Sequence, residues 1–312
     1  MKTVVIIVAA LAVFWIVFFV APGIVAYFTV FSRRKTASFE EVAATEYFKP
    51  YIGAIGAAKK RLESLGGKKV RIKGYKDTEL EGLFIDGGAK RTAIFFHGYH
   101  SDPFINFGVQ ATRLYDEGFN LLFPVQRGHG DSGGKSTLGV YEQYDLLDWI
   151  EWVKANTSTD EVLVYGMSMG CTAAEYASDR FDPEFVKGAV YDCGYSSVFS
   201  QLCYDLKKRH VPSASVIVWT RAVAKFLLHS DIKKNVSSSL SASRVPALFF
   251  HGTDDRTVPF SDGVANYEAC ASEKTMFTAE KAHHTVSYLV GGKEADDVLM
   301  NFINAHFSRE GK

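Results

Sequence analysis

Two things are missing from this sequence: charged side chains between Thr3 and Ser32, and any cysteine pair spaced as C-x-x-C. The four cysteines, at positions 171, 193, 203 and 270, therefore predict free, inert thiols rather than a zinc site or a redox motif. Basic charge is not in excess either, because 35 Lys and Arg balance 35 Asp and Glu. This balance gives no reason to expect a nucleic-acid partner.

Residues 4–28 are apolar apart from Pro22 and Gly23, and about 20 such residues are enough to cross a bilayer as a helix. A cleaved signal peptide is the alternative, but its apolar region usually has only about 7–15 residues and ends at a small-residue cleavage site. The sequence therefore predicts an uncleaved, single-pass membrane anchor over residues 1–35. The bases Arg33, Arg34 and Lys35 only mildly favour a cytoplasmic body over the opposite side.

After a linker and helix over residues 36–67, short apolar runs alternate with segments of helical period. The alternation predicts a mostly parallel sheet with helices on both faces, and a catalytic domain over residues 68–312. Expected strands lie at 70–73, 80–85, 92–96, 120–125, 161–165, 186–191, 247–250 and 275–278, and expected helices at 104–117, 141–154, 169–177 and 294–307.

Residues 196–245 interrupt this alternation with an aromatic- and valine-rich stretch followed by a serine-rich one. An insertion at this point predicts a helical lid over the carboxyl ends of the strands, where ligands bind in such sheets. A long helical crossover with no role in binding is the alternative.

Gly166-Met167-Ser168-Met169-Gly170 fits the pattern G-x-S-x-G. Chance supplies such a pattern easily, and an ordinary Gly-Ser turn is the alternative. The context is more specific, since the motif stands between an apolar strand and a helix-forming run. Strand, turn and helix in this order are typical of a nucleophile elbow, in which the serine hydroxyl attacks the substrate. Ser168 is therefore the candidate nucleophile.

A serine nucleophile needs a general base and a group that orients this base. Asp254 and Asp255 follow one expected strand, and His283 and His284 follow the last one. The order Ser, Asp, His is the one found when an elbow serine is the nucleophile. Periodicity does not decide which aspartate and which histidine take part.

Two local patterns resemble those of the α/β-hydrolase superfamily. A third stretch, Tyr191-Asp192-Cys193-Gly194-Tyr195-Ser196, resembles one that is common after the sixth strand in its bacterial membrane-anchored members. His251-Gly252-x-x-Asp255-x-x-Val258-Pro259 is similar to the acid loop of many bacterial members, and Ala282-x-His284-x-x-Ser287-Tyr288 to the histidine loop. The resemblance extends over about residues 68–307. It implies an α/β-hydrolase fold and selects Asp255 and His284.

The segment His97-Gly98-Tyr99-His100 resembles the His-Gly-x motif of the same superfamily. The resemblance implies an oxyanion hole formed by the backbone N–H groups of Tyr99 and Met169. Arg127-Gly128-His129-Gly130-x-Ser132-x-Gly134 is similar to a loop of these hydrolases, although it also imitates nucleotide-binding motifs. A P-loop needs glycine where His129 stands, and a dinucleotide fingerprint must lead directly into a helix. No cofactor and no metal are expected.

The resemblance implies hydrolysis of an ester-like bond through an acyl-enzyme, with a small-molecule or lipid ester as substrate. Cleavage of an amide, as by a serine aminopeptidase, is the alternative within hydrolases. Alternatives of other classes are a binding protein of this fold without activity and a nucleotide-dependent enzyme. The sequence leaves the oligomeric state open.

Overall fold

A computed structural model describes residues 1–33, 35–210 and 213–308; Arg34, one of the bases expected to flank the anchor, and residues 309–312 of the expected catalytic domain lie outside these ranges. The chain forms two compact units. The first unit combines residues 1–32 with residues 197–234, and the second combines residues 33–196 with residues 235–312. The insertion expected over residues 196–245 thus falls mainly in the same unit as the N-terminal segment.

The second unit contains one eight-stranded sheet with the order β1-β2-β4-β3-β5-β6-β7-β8. The pairs β1–β2 and β2–β4 are antiparallel, and all other neighbours are parallel. The sequence-based expectation of a mostly parallel sheet is therefore confirmed. The strands are β1 (Lys68–Gly74), β2 (Thr78–Ile85), β3 (Arg91–Phe96), β4 (Asn120–Pro124), β5 (Glu161–Met167), β6 (Val186–Asp192), β7 (Ala247–Gly252) and β8 (Lys274–Ala279).

The helices predicted at 104–117, 141–154 and 169–177 agree with the structure to within a few residues. The helix Phe260–Ala269, between β7 and β8, was not predicted. The last helix was expected from residue 294, but it begins at Ser287 and contains a break at Gly292, whose φ is +53°. The α-helices are α1 (Lys2–Trp15), α2 (Ala21–Val30), α3 (Phe39–Ala43), α4 (Ile52–Leu65), α5 (Pro103–Asp116), α6 (Glu142–Asn156), α7 (Met169–Ala177), α8 (Val198–Lys208), α9 (Ser213–Leu228), α10 (Ser237–Leu240), α11 (Phe260–Ala269) and α12 (Ser287–His306).

Alternate residues of the central strands supply two separate cores. In β3, Phe95 points to the face covered by α5 and α12, whereas Ile94 points to the face covered by α6 and α7. Both side chains are fully buried, as expected for a parallel strand that has helices on either side. This packing fixes the carboxyl ends of β3, β5, β7 and β8, and these ends carry the candidate site.

In the first unit, α1 and α2 join through a π-helical turn into one helix, Lys2–Val30. It has 29 residues and an 18-residue window with a mean hydropathy of 3.2, so it is long and apolar enough to cross a membrane, a property that signal sequences share. The insertion contributes α8 and α9 to the same unit. The expected helical character of the insertion is thus present, while its role as a lid stays a prediction.

Candidate active site

Ser168 is the single residue between β5 and α7, and its backbone is strained. Its φ of +54° and ψ of −117° lie in a region that side-chain-bearing residues rarely adopt. The N–H of Ser168 donates to the carbonyl oxygen of Asp192 (2.8 Å), and its own carbonyl accepts from the N–H of Thr172 (3.0 Å). The turn is therefore held from both sides, and it places the Ser168 hydroxyl at the carboxyl edge of the sheet.

Two glycines make this turn sterically feasible. A Cβ atom at Gly166 would lie 2.6 Å from Cα of Cys171, and one at Gly170 would lie 1.8 Å from the carbonyl oxygen of Phe96. Because the second distance is far below any van der Waals contact, the chain approaches β3 at this point only if residue 170 has no side chain. The glycines of the G-x-S-x-G motif are thus required by packing around the serine.

The structure brings the three predicted side chains together in one hydrogen-bonded chain. Nε2 of His284 lies 2.8 Å from Oγ of Ser168, and Nδ1 of His284 lies 2.7 Å from Oδ2 of Asp255. The carboxylate can only accept, so the ring proton is on Nδ1 and Nε2 is left to accept from the serine hydroxyl. This is the tautomer that a general base for Ser168 requires.

The environment of Asp255 favours its ionised form. Burial opposes ionisation, but attraction to His284 when its ring is protonated and hydrogen bonding by His251 and His284 outweigh it, so the pKa of Asp255 lies well below the ordinary value. Its second oxygen accepts from the backbone N–H groups of Thr257 (2.8 Å) and Val258 (2.9 Å). Asp255 is thus held as a carboxylate in one orientation, facing His284.

The neighbouring candidates, Asp254 and His283, are placed elsewhere. The Asp254 side chain is exposed and lies 3.6 Å from that of Arg256. Nδ1 of His283 lies 3.0 Å from the carbonyl oxygen of Asp254, and its ring packs on that of Tyr47 at 5.0 Å. The geometry therefore distinguishes Asp255 from Asp254 and His284 from His283, a choice that sequence periodicity left open.

Asp255→Asn is expected to destabilise the protein at neutral pH, and progressively less as the pH falls below about 4. Because the folded-state pKa is below the unfolded one, the ionised carboxyl stabilises the fold above the ordinary Asp pKa of about 4. This contribution disappears as the pH falls through the lower folded-state value. Urea unfolding at pH 7, 5 and 3 measures the difference from wild type, which should shrink below pH 4. The exposed control Asp254→Asn should show no such trend, and a pH-independent difference for Asp255→Asn would contradict the expectation.

The loop that follows β3 lies directly against the serine. A Cβ atom at Gly98 would be 3.4 Å from Cβ of Ser168. The loop is fixed by hydrogen bonds from the N–H of Gly98 to Oδ1 of Asn106 (2.9 Å) and from the N–H of His100 to Nε2 of His129 (3.2 Å). The loop is therefore held in place beside Ser168. That the backbone N–H groups of Tyr99 and Met169 form an oxyanion hole stays a prediction.

His97 and His129 support this loop as neutral rings. His97 is fully buried, and its Nε2 accepts from the N–H of Gln126 (3.0 Å). Burial, with a contribution from His129, lowers the pKa of His97 to about 3, and burial also lowers that of His129. Uncharged imidazoles can accept hydrogen bonds from backbone N–H groups, which protonated ones cannot.

Sequence reasoning missed a segment at the start of the second unit that contacts the loops of the site. The guanidinium of Arg33 donates to the carbonyl oxygens of Gly130 and Ser132. The N–H of Ala37 donates to the carbonyl oxygen of His100 (2.6 Å). Arg33 was interpreted only as a base flanking the anchor. These partners are 63 to 99 residues away in the chain, and no local pattern indicates them.

The glycine-rich loop after β4 does not lead into a helix. The N–H of Gly128 donates to the carbonyl oxygen of Gly133 (2.8 Å), and the next helix, α6, begins only at Glu142. Buried Arg127 instead pairs with Asp145 on α6 (2.5 Å). This geometry lacks the helix N-terminus that a dinucleotide fingerprint needs.

Cys193, Asp255 and His284 bring potential metal-ligand atoms within 4.8 Å of one another. Asp255 and His284 already bond to each other at 2.7 Å. Burial raises the pKa of the Cys193 thiol well above its ordinary value, whereas a thiol must ionise to bind zinc. The donor set therefore does not suit a metal. The four cysteines are free thiols, and Cys171, Cys193 and Cys270 are buried.

Residues 83–211 match the model of a family described as alpha/beta hydrolase fold. Among curated proteins, the uncharacterized protein YqkD of Bacillus subtilis is 29% identical over 55% of this chain and 58% of its own length. Human protein ABHD12B is also 29% identical, over 50% of this chain and 42% of its own length. The chain thus spans about half the length of these relatives.

Solved structures share the fold. The esterase Pf2001 of Pyrococcus furiosus has a TM-score of 0.65 at 23% identity, over 79% of this chain and 94% of the esterase. The acylaminoacyl peptidase of Pyrococcus horikoshii has a TM-score of 0.55 at 17% identity, over 79% of this chain and 42% of the peptidase. At these identities the likeness establishes the architecture that was expected from the sequence.

Proposed function

We propose that this chain, which has the α/β-hydrolase fold and matches the model of that family over residues 83–211, is a serine hydrolase that cleaves a carboxylester, lipid ester or thioester. The observation that carries the proposal is the continuous hydrogen-bonded chain from Oγ of Ser168 through His284 to Asp255. A strained backbone such as that of Ser168 is typical of the serine on a nucleophile elbow. The esterase neighbour supports the same reaction class.

In the acylation step, Nε2 of His284 takes the proton of Ser168 while Oγ attacks the carbonyl carbon. Asp255 keeps the ring in position and stabilises the imidazolium that forms. The oxyanion accepts from the backbone N–H groups of Tyr99 and Met169, and each such donor is worth about 3 kcal/mol in comparable enzymes. His284 then gives its proton to the leaving oxygen or sulfur as the carbonyl–heteroatom bond breaks.

In the deacylation step, water replaces the serine as the attacking group. His284 removes a proton from the water, whose oxygen bonds to the acyl carbon. The bond to Oγ breaks as His284 returns the proton to Ser168, and the carboxylic acid leaves. The same three side chains therefore serve both steps.

We propose that the Lys2–Val30 helix is an uncleaved anchor and that the substrates carry an apolar acyl group. The anchor is supported by the length of the apolar run, because signal peptides usually have shorter ones. An acyl group of this kind suits an enzyme that works at a lipid surface.

A chain-length series of p-nitrophenyl esters, assayed with the full chain in detergent or vesicles, tests this proposal. We expect hydrolysis, with kcat/KM rising from acetate to medium-chain esters, because each buried methylene contributes about 0.8 kcal/mol. A p-nitroanilide panel on the same preparation is the control for amide cleavage, which the peptidase neighbour makes the second candidate. Anilide turnover that exceeds ester turnover would replace the esterase by an amidase, and no turnover of either would leave a binding protein.

A further inference from the structure

The helix α9 has an unusual distribution of apolar side chains. Val216, Thr220, Ala224 and Leu228 form a buried stripe with a spacing of four residues. Helices at a water-facing surface have polar side chains opposite such a stripe. The outward ridge of α9 has the same spacing and is also apolar, and its exposed members are Ala214, Val218, Ala222 and Phe226.

The exposure of this ridge is large. Val218 is 60% exposed and Phe226 is 76% exposed. Within the described residues, the other exposed large apolar side chains are Met1, Leu227 and members of the Lys2–Val30 helix. The exposed apolar surface is thus concentrated in the first unit, and two neighbouring elements share it.

The α9 helix packs directly against the apolar N-terminal helix. Oγ1 of Thr220 donates to the carbonyl oxygen of Gly23 (3.0 Å), and the rings of Trp15 and Trp219 meet edge to face at 5.8 Å. A Cβ atom at Gly23 would lie 2.3 Å from Cβ of Trp219. Close approach at a small residue is characteristic of helices that pack within a bilayer.

The positions of these contacts along the N-terminal helix indicate how deep α9 would lie in a bilayer. At 1.5 Å per residue, Gly23 lies about 10 Å and Trp15 about 22 Å before the end of the helix at Val30. The hydrocarbon core of a bilayer is about 30 Å thick. If the N-terminal helix spans this core, its contacts with Trp219 and Thr220 fall inside the apolar layer.

The charge of the insertion fits the surface of the same layer. Residues 197–234 contain seven Lys and Arg but only two Asp and no Glu. Arg221, which is next to Thr220, is neutralised by a pair with Asp231 (2.5 Å). The exposed bases that flank α9 are Lys207, Lys208, Arg209, Lys233 and Lys234, and Lys225 lies in the last turn of the helix itself. Basic clusters beside an apolar face favour membranes that contain anionic lipids.

We propose that α9 is embedded in the membrane beside the N-terminal helix, with its apolar ridge in lipid and the bases of the insertion at anionic headgroups. This proposal rests on the proposed anchor, because the depth of α9 in the bilayer is inferred from its contacts with the N-terminal helix. The first unit would then be a two-part membrane element, formed by segments 165 residues or more apart in the chain.

The test measures membrane depth at single positions of the full chain. The variants Val218→Cys and Phe226→Cys carry a fluorophore in a Cys203→Ser background, because the other native thiols are buried. The protein is reconstituted into phosphatidylcholine vesicles, with and without phosphatidylglycerol, that contain doxyl-labelled lipid as quencher. Val17→Cys on the N-terminal helix and Glu151→Cys on the exposed side of α6 are the reference positions.

We expect quenching at positions 218 and 226 to be severalfold stronger than at position 151 and to approach that at position 17. Phosphatidylglycerol should strengthen the quenching at position 226. Strong quenching at 17 with weak quenching at 218 and 226 would overturn the proposal while leaving the anchor intact. Weak quenching at all four positions would overturn the anchor as well. Disulfide cross-linking between two chains of the Val218→Cys variant, without quenching by lipid, would also overturn the proposal. It would show that the ridge contacts a second copy of the chain instead of lipid.

Discussion

Replacing Ser168 by alanine is expected to lower kcat for an ester by about 10⁶-fold, as in other enzymes with this arrangement. The variant retains backbone donors and any binding pocket, so KM should change much less than kcat. Its Oγ is the atom that His284 contacts at 2.8 Å, and no other hydroxyl takes part in the proposed acylation. A fluorophosphonate probe should therefore label the wild type and leave Ser168→Ala unlabelled.

The neighbouring histidines provide the control. His284→Ala should reduce kcat about as much as Ser168→Ala, and the double variant should be no worse than either, because the groups act as a unit. His283→Ala removes a ring that packs on Tyr47 but makes no contact with Ser168 among those described. It should retain most of the activity. Equal labelling of wild type and Ser168→Ala would refute the assignment of the nucleophile.

Gly170→Ala is expected to be the most destabilising single-methyl substitution in the second unit. The new Cβ would lie 1.8 Å from the carbonyl oxygen of Phe96, so either the β3 backbone or the elbow must move. Such overpacking against backbone should cost more than about 3 kcal/mol, at the upper end of point substitutions. Urea unfolding followed by circular dichroism measures the loss, and misfolding during expression is the extreme result.

Gly53→Ala is the matched control for this substitution. A Cβ atom at Gly53 meets no heavy atom within 4 Å, and the residue lies in α4, where alanine is favoured over glycine by about 0.5–1 kcal/mol. This variant should be unchanged or slightly more stable than wild type. A Gly170→Ala protein with wild-type stability would show that the elbow can relax away from β3.

The sheet and most of the helices beside it were predictable because their signals are local, whereas α11 was not predicted. Short apolar runs separated by turns gave all eight strands, and the antiparallel pair at 70–73 and 80–85 lies within β1 and β2. The end of the last helix was likewise near its expected position. The start of this helix was not predicted correctly, because Gly291 and Gly292 lower the helix propensity of its first turns. The helix is in fact broken at Gly292, whose φ is +53°.

The site was only partly predictable. Spacing indicated a serine, an acid and a histidine in the right order, but the choice between Asp254 and Asp255 came from resemblance. Geometry separates them, since the Asp255 side chain is fully buried against His284 whereas that of Asp254 is half exposed. The contact of Ala37 with His100 is a backbone hydrogen bond, which carries no side-chain signal at all.

The separation of the site residues along the chain has a consequence for the order of folding. Ser168 and His284 are 116 residues apart, and β6, β7 and β8 must join the sheet before they can meet. Contacts of such long range form late, because the entropy of closing the intervening loop must first be overcome. The elbow itself depends only on β5, its neighbours and α7. We therefore expect a nascent chain to form the strained turn at Ser168 before it brings in the histidine that is proposed to activate this serine.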